Sequence, residues 1–196
     1  MSWLTVDDLI ERIINDPGVK DKQAYYNSLH DIWDGTVEYI KEQVSNGLGV
    51  GFRPLGYFVF EPINDPSSPK GGRRELRFIL DRNLIDKNNI RPSPEIDNIF
   101  TGSIFEKFPG LAPMNYATIG QNIGSDRKTC DTTVKRILKE FIDLITRDLD
   151  FKLDMGVATL IVKDKRAKIQ MAPVQFKVDL TKTVTASSLR PAPKGK

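Results

Sequence analysis

The chain has 196 residues and a formal charge of +3, from 29 Lys+Arg against 26 Asp+Glu, a length that allows one large domain or two small ones. Hydrophobic residues at 39% and charged residues at 28% describe an ordinary globular protein, and no stretch approaches the ~18 apolar residues of a membrane span. The single cysteine, Cys130, excludes an internal disulfide and a cysteine-built zinc site, and a pI of 8.9 falls just short of the value above ~9 usual for a dedicated nucleic-acid binder.

The opening residues, Met1 to Asp8, are acidic where a secretory leader needs basic residues, so no cleaved leader is expected. Leu4, Leu9, Ile10, Ile13 and Ile14 predict a first helix with Thr5 as its N-cap. Trp33, Val37, Ile40 and Val44 recur at spacings of 4, 3 and 4, an apolar stripe at helical period. Asn46-Gly47 ends that helix, since glycine tolerates the left-handed conformation. Val50 and Phe52 alternate as a short strand, Pro54-Leu55-Gly56 turns the chain, and Tyr57 to Phe60 returns. Glu61 to Arg74 is rich in turn formers and basic at its far end, and Leu76, Phe78 and Leu80 mark the next strand.

Residues 87–113 hold Pro92, Pro94, Pro109 and Pro113 and read as a Pro-rich connector with an apolar anchor at Ile99, Ile104, Phe105 and Phe108. Tyr116, Ile119 and Ile123 predict a short helix. Val134, Leu138, Phe141 and Ile145 repeat the 4, 3, 4 stripe, with Cys130 on its core face. Phe151 and Leu153, a turn at Met155-Gly156, Val157 to Val162, a tight polar turn near Asp164–Arg166, and Ile169 with Met171 complete a second set of strands. Ser, Thr, Pro and Lys dominate residues 177–196, which read as an extended tail.

These elements form an internal repeat. The stripes are offset by 101 residues, and the offset persists through Leu48/Leu149, Val50/Phe151 and Phe52/Leu153. It then becomes 100, pairing Gly56 with Gly156, Phe58 with Ala158 and Phe60 with Leu160. Each copy is a short helix, a long helix and a strand hairpin. The division expected is unit one over residues 1–86, the connector over 87–113, unit two over 114–176 and the tail over 177–196. The fold class expected is α+β.

The order helix, helix, then Val50-x-Phe52-x-x-Leu55-Gly56-x-Phe58-x-Phe60 resembles the bacterial HU/IHF-like architectural DNA-binding fold. Two such units in tandem resemble the N-terminal region of the eukaryotic coiled-coil domain-containing protein 81 family, matched here by Ile32-Trp33, by Gly49-Val50 through Phe58, and by Met155-Gly156-Val157-Ala158-Thr159-Leu160. The resemblance implies helix pairs with a β-hairpin or small antiparallel sheet. HU-like proteins are dimers that bury apolar helices against each other, so one chain with two units could make that contact internally, as a pseudo-dimer.

The resemblance raises architectural DNA binding, in which basic β-ribbon arms grip the minor groove. Pro66, Lys70, Arg73, Arg74 and Arg77 form the candidate arm, and Arg53 could join it. The arm is short and is flanked by Glu61, Asp65 and Glu75. The second copy has only the tight turn of Lys163, Lys165 and Arg166, which could meet an acidic surface such as tubulin. The charge is also unevenly placed: residues 1–50 carry 4 basic and 9 acidic side chains, which leaves the remainder net basic. His30, the only histidine, has no identifiable nucleophile or acid partner, and Gly47 to Gly51 follows a helix and precedes a strand, the reverse of a phosphate loop. No enzyme class, cofactor or metal is expected.

The function expected is therefore a non-enzymatic scaffold that uses its HU-like units for protein–protein contacts in a ciliary or centrosomal microtubule assembly, with DNA binding as the alternative. The resemblance places such a protein in the cytoplasm and cytoskeleton, at a cilium axoneme, basal body or centrosome, with tubulin or other axonemal proteins as partners. The partner-binding candidates are the loop and turn residues just named together with Lys182, Leu189, Arg190 and Pro191 of the tail.

Overall fold

Both long helices begin and end by local chemistry that the sequence carries. The computed structural model describes residues 3–63, 73–94, 96 and 103–172. Helix α1 (Val6–Ile14) starts at Thr5, whose backbone N–H and hydroxyl both donate to the Asp8 carboxylate, at 2.6 and 2.9 Å. Helix α2 (Lys22–Ser45) is capped by Asp21, which accepts from the Ala24 N–H at 3.0 Å. It stops where Gly47 takes φ +73°, with the Gly47 N–H on the Val44 carbonyl and the Leu48 N–H on the Gln43 carbonyl. Helix α6 (Arg127–Thr146) ends in the same way, with Asp148 at φ +61° bonding Ile145 and Leu149 bonding Leu144. The second ending lies 101 residues after the first, as the repeat predicts (Gly47 to Asp148).

A three-stranded meander follows each long helix. In the first, β1 (Gly49–Phe52), β2 (Gly56–Ile63) and β3 (Arg73–Leu80) pair antiparallel. Helix α3 (Arg82–Asn88), β4 (Arg91–Pro92), α4 (Ile104–Lys107), β5 (Leu111–Pro113) and α5 (Tyr116–Ile123) lead on to α6. The second meander is β6 (Phe151–Asp154), β7 (Ala158–Lys163) and β8 (Arg166–Met171). The class is α+β, but the sheets are mixed instead of antiparallel. The residue 87–113 segment supplies β4, which runs parallel to β8, and β5, which runs parallel to β1. The strand orders are β3-β2-β1-β5 and β4-β8-β7-β6. The segment before α1 joins the second sheet too, through Leu4 beside Phe151, with the Lys152 N–H on the Leu4 carbonyl at 2.9 Å.

The sequence repeat fails at the second strand. Val50 faces Phe58, whereas Phe151 faces Val162, so the structural counterpart of Phe58 is Val162 and not Ala158. Strand patterns have a period of two, so a shift by an even number of residues leaves the apolar alternation intact and misleads a match. The paired glycines consequently do different work. A Cβ on Gly56 would collide with the Ile79 carbonyl oxygen across the sheet. Gly156 sits in a turn at φ +81°, against Val37 of α2.

Helices α1, α2, α5 and α6 pack together beneath the sheets. Trp33, Ile40 and Val44 of one stripe and Val134, Leu138, Phe141 and Ile145 of the other belong to a single buried cluster. Phe52, Phe58 and Phe78 enter it from the first sheet, and Phe151, Leu153 and Leu160 from the second. The two units are thus a pseudo-dimer with one core. Arg12 to Glu140 at 2.9 Å and Arg136 to Asp16 at 3.1 Å link the units at its rim. Cys130 is buried within it. Among the described residues no helix is long and apolar enough to cross a membrane.

The second unit cut out alone, residues 114–196, would strip α1 and α2 from α5 and α6 and expose that stripe. It is expected to self-associate or to lose its near-ultraviolet circular dichroism; a well-folded monomer by light scattering would contradict the shared core. Burial, with Asp131 as the lesser cause, pushes the Tyr116 hydroxyl up to about 12 from 10.0. The neutral form is favoured in the folded state, so this stability is intact below pH 10 and is lost as the pH rises toward about 12. Tyr116→Phe should flatten that part of the curve of urea midpoint against pH, and an unchanged alkaline decline would refute the assignment.

Candidate docking surface

The two sheets turn different outer faces to their surroundings. In the first sheet the outward residues Tyr57, Val59 and Ile79 form a second buried cluster with Phe108 and Leu111, against which Ile104 and Phe105 pack. The expected apolar anchor therefore covers this face through Ile104, Phe105 and Phe108, while Ile99 lies outside the described residues. In the second sheet Phe151, Leu153, Leu160, Val162 and Ala167 point to the core. Strand alternation then puts Lys152, Lys163, Arg166, Lys168 and, from β4, Arg91 on the outside.

Register sets these cations in rows. Lys163 faces Arg166, which faces Arg91. Lys152 and Lys168 flank Ile161 one step along. Among the described residues none of the five makes an ion pair. Trp3 stands at this edge, with the Lys152 ammonium 4.7 Å and the Lys163 ammonium 6.0 Å from its ring centroid. Trp3, Arg91, Lys152, Lys163, Arg166 and Lys168 line one groove.

The turn residue Lys165 has another task. Asp164 at φ +47° and Lys165 at φ +61° make the two-residue turn between β7 and β8, both in the left-handed region such hairpins require. The Lys165 ammonium is 3.1 Å from Asp148 and donates to the carbonyls of Asn88 at 3.3 Å and Thr146 at 3.4 Å. It thus ties the turn to the C-terminal end of α6, where a cation is favoured. Sequence reasoning grouped Lys163, Lys165 and Arg166; the structure brings Lys163 and Arg166 together and turns Lys165 inward. Lys168, the last residue of that basic cluster, joins them on the open face, and the structure adds Trp3, Arg91 and Lys152, of which strand alternation could have signalled only Lys152.

On the first unit the arm candidates separate. Pro66 and Lys70 lie outside the described residues, as do Lys182, Leu189, Arg190 and Pro191 of the tail. The backbone of Arg73 opens β3 opposite Ile63. Arg74 is exposed and lines a groove with Phe60, Pro62 and Lys107. Arg77 is neutralised by Glu61 at 3.3 Å and Glu75 at 3.7 Å. Arg53 lies at the opposite end of the hairpin and donates to the Tyr57 hydroxyl at 2.8 Å, which in turn donates to Asp81 at 3.1 Å. Burial is the main cause raising the Tyr57 pKa.

Lys165→Ala should cost about 1–2 kcal/mol in urea unfolding, because the side chain is only 24% exposed and serves three partners. Lys163→Ala, on the open face, should change stability by less than about 0.5 kcal/mol. Equal effects of the two would contradict these roles.

Residues 111–188 match the family model described as CCDC81 eukaryotic HU domain 2. The matched part runs from β5 through β8 and beyond the described residues, and there the chain is similar to an HU-like domain. The likeness of the preceding residues rests on the repeated helix pair and meander. No curated protein matches the chain.

Proposed function

We propose that the chain is a non-enzymatic scaffold of a ciliary or centrosomal microtubule assembly, in which HU-like units make protein contacts in place of DNA contacts. The observation that carries this reading is the β7–β8 hairpin. A duplex clamp of the HU type needs a ribbon arm on each unit, to reach the minor groove from both sides. The second unit offers a two-residue turn, and the cation at its tip is bound to the end of α6. The cytoskeletal setting, with a place inside a doublet microtubule among its forms, comes from the family resemblance. The partners are tubulin or other axonemal proteins.

Co-sedimentation with axonemal microtubules tests the reading. The chain should pellet with them at roughly physiological ionic strength, where exposed charge pairs are already screened. Release in mild salt with no loss of axonemal stability would count against it. An architectural DNA-binding protein is the second reading, favoured by the unpaired cations of the second sheet. Fluorescence anisotropy with a nicked duplex separates the two: submicromolar binding, lost in an Arg73→Ala/Arg74→Ala variant, would sink the scaffold.

A further inference from the structure

Three of the five outward cations on the second sheet stand directly opposite one another, Lys163 to Arg166 to Arg91. Like charges in that arrangement repel; among the described residues none of the three is in an ion pair, and Asp164 is the one carboxylate that lines the same groove. The equivalent face of the first sheet is covered by apolar side chains, and Arg77 on it is paired with both Glu61 and Glu75. The open face is therefore electrostatically incomplete, and an anion laid across it removes the repulsion.

We infer that this face is a docking site for an extended acidic peptide, held by Arg166, Lys168, Lys152 and Arg91, with Trp3 and Lys163 at its edge. This rests on the protein-scaffold reading above. Side chains two apart on a strand are spaced about 7 Å, the spacing of alternate side chains on an extended peptide. Arg166 and Lys168 can thus meet successive same-side carboxylates, and Lys152 stands across the buried Ile161 from Lys168 in the second row. One feature favours a peptide over nucleic acid. The ring of Trp3 already carries two ammonium groups, so that it is not an open platform for stacking a base. Asp154 at the β6–β7 end and Asp164 at the β7–β8 end bracket the cations. They repel any polyanion that continues past the sheet, which limits the occupant to a short segment.

The test uses the full chain and a fluorescein-labelled oligoglutamate peptide, followed by anisotropy at about 50 mM salt. Saturable binding is expected. An Arg166→Glu/Lys168→Glu variant should weaken it about tenfold or more, while a Lys128→Glu/Lys139→Glu variant, with the same charge change on exposed positions of α6, should stay within about twofold. Circular dichroism establishes that each variant is folded. No saturable binding, equal losses in both variants, or displacement of the peptide by oligothymidylate or phosphatidylserine vesicles at lower concentration than by unlabelled peptide would each overturn the site. A sheet variant that pellets with microtubules and keeps its peptide affinity removes the site and leaves the scaffold reading standing. A chain that binds the peptide but never pellets removes the scaffold reading and supports the site.

Discussion

The structure depends on the mutual burial of two apolar helix stripes. Trp33, Ile40 and Val44 on α2 and Val134, Leu138, Phe141 and Ile145 on α6 share one cluster. Neither stripe has enough chain of its own to cover it, because a unit of this size buries too little surface to be comfortably stable alone. Carrying both stripes on one chain makes the second contact intramolecular and removes its dependence on concentration. The inner sheet faces then close over the helices, and aromatic contacts such as Phe141 on Phe151, with ring centroids 5.0 Å apart, join helix to sheet.

That arrangement also explains the connector. With the units sharing a core, a tether between separate bodies is not needed, and the 87–113 segment is woven into both sheets. It gives β4 to the second sheet and β5 to the first, while Leu4 from the beginning of the chain joins the second sheet at its other edge. These exchanges satisfy edge backbone groups that would otherwise invite pairing with other chains. They also remove the antiparallel simplicity expected of two hairpins.

The pseudo-symmetry stops at the outer faces. The first sheet is closed by Phe108 and its neighbours, and its Arg77 is paired with Glu61 and Glu75. The second is open and carries unbalanced positive charge. The repeated fold has thus packed one outer face and left the other open, and the location of net charge distinguishes the two faces where the overall value of +3 does not.

Helix stripes, the Thr5 cap, the Gly47 stop and the 101-residue repeat were legible because 3.6-residue periodicity, Thr5 and Gly47 act within a few residues of themselves. The candidate site was legible only in part. Lys163 and Arg166 stood out as a basic cluster, but Lys165 between them turned to the end of α6, since a two-residue turn points its side chains by backbone conformation and not by charge. Trp3, Arg91 and Lys152 joined them from remote parts of the chain through strand pairing, which the sequence pattern does not specify when an even shift preserves alternation. By itself the sequence determined which residues must be buried and where the helices begin and end. Only the tertiary structure decided which strands pair, which sheet face stays open and which cations share it, because those follow from long-range register, and register is set by the packing of the whole core.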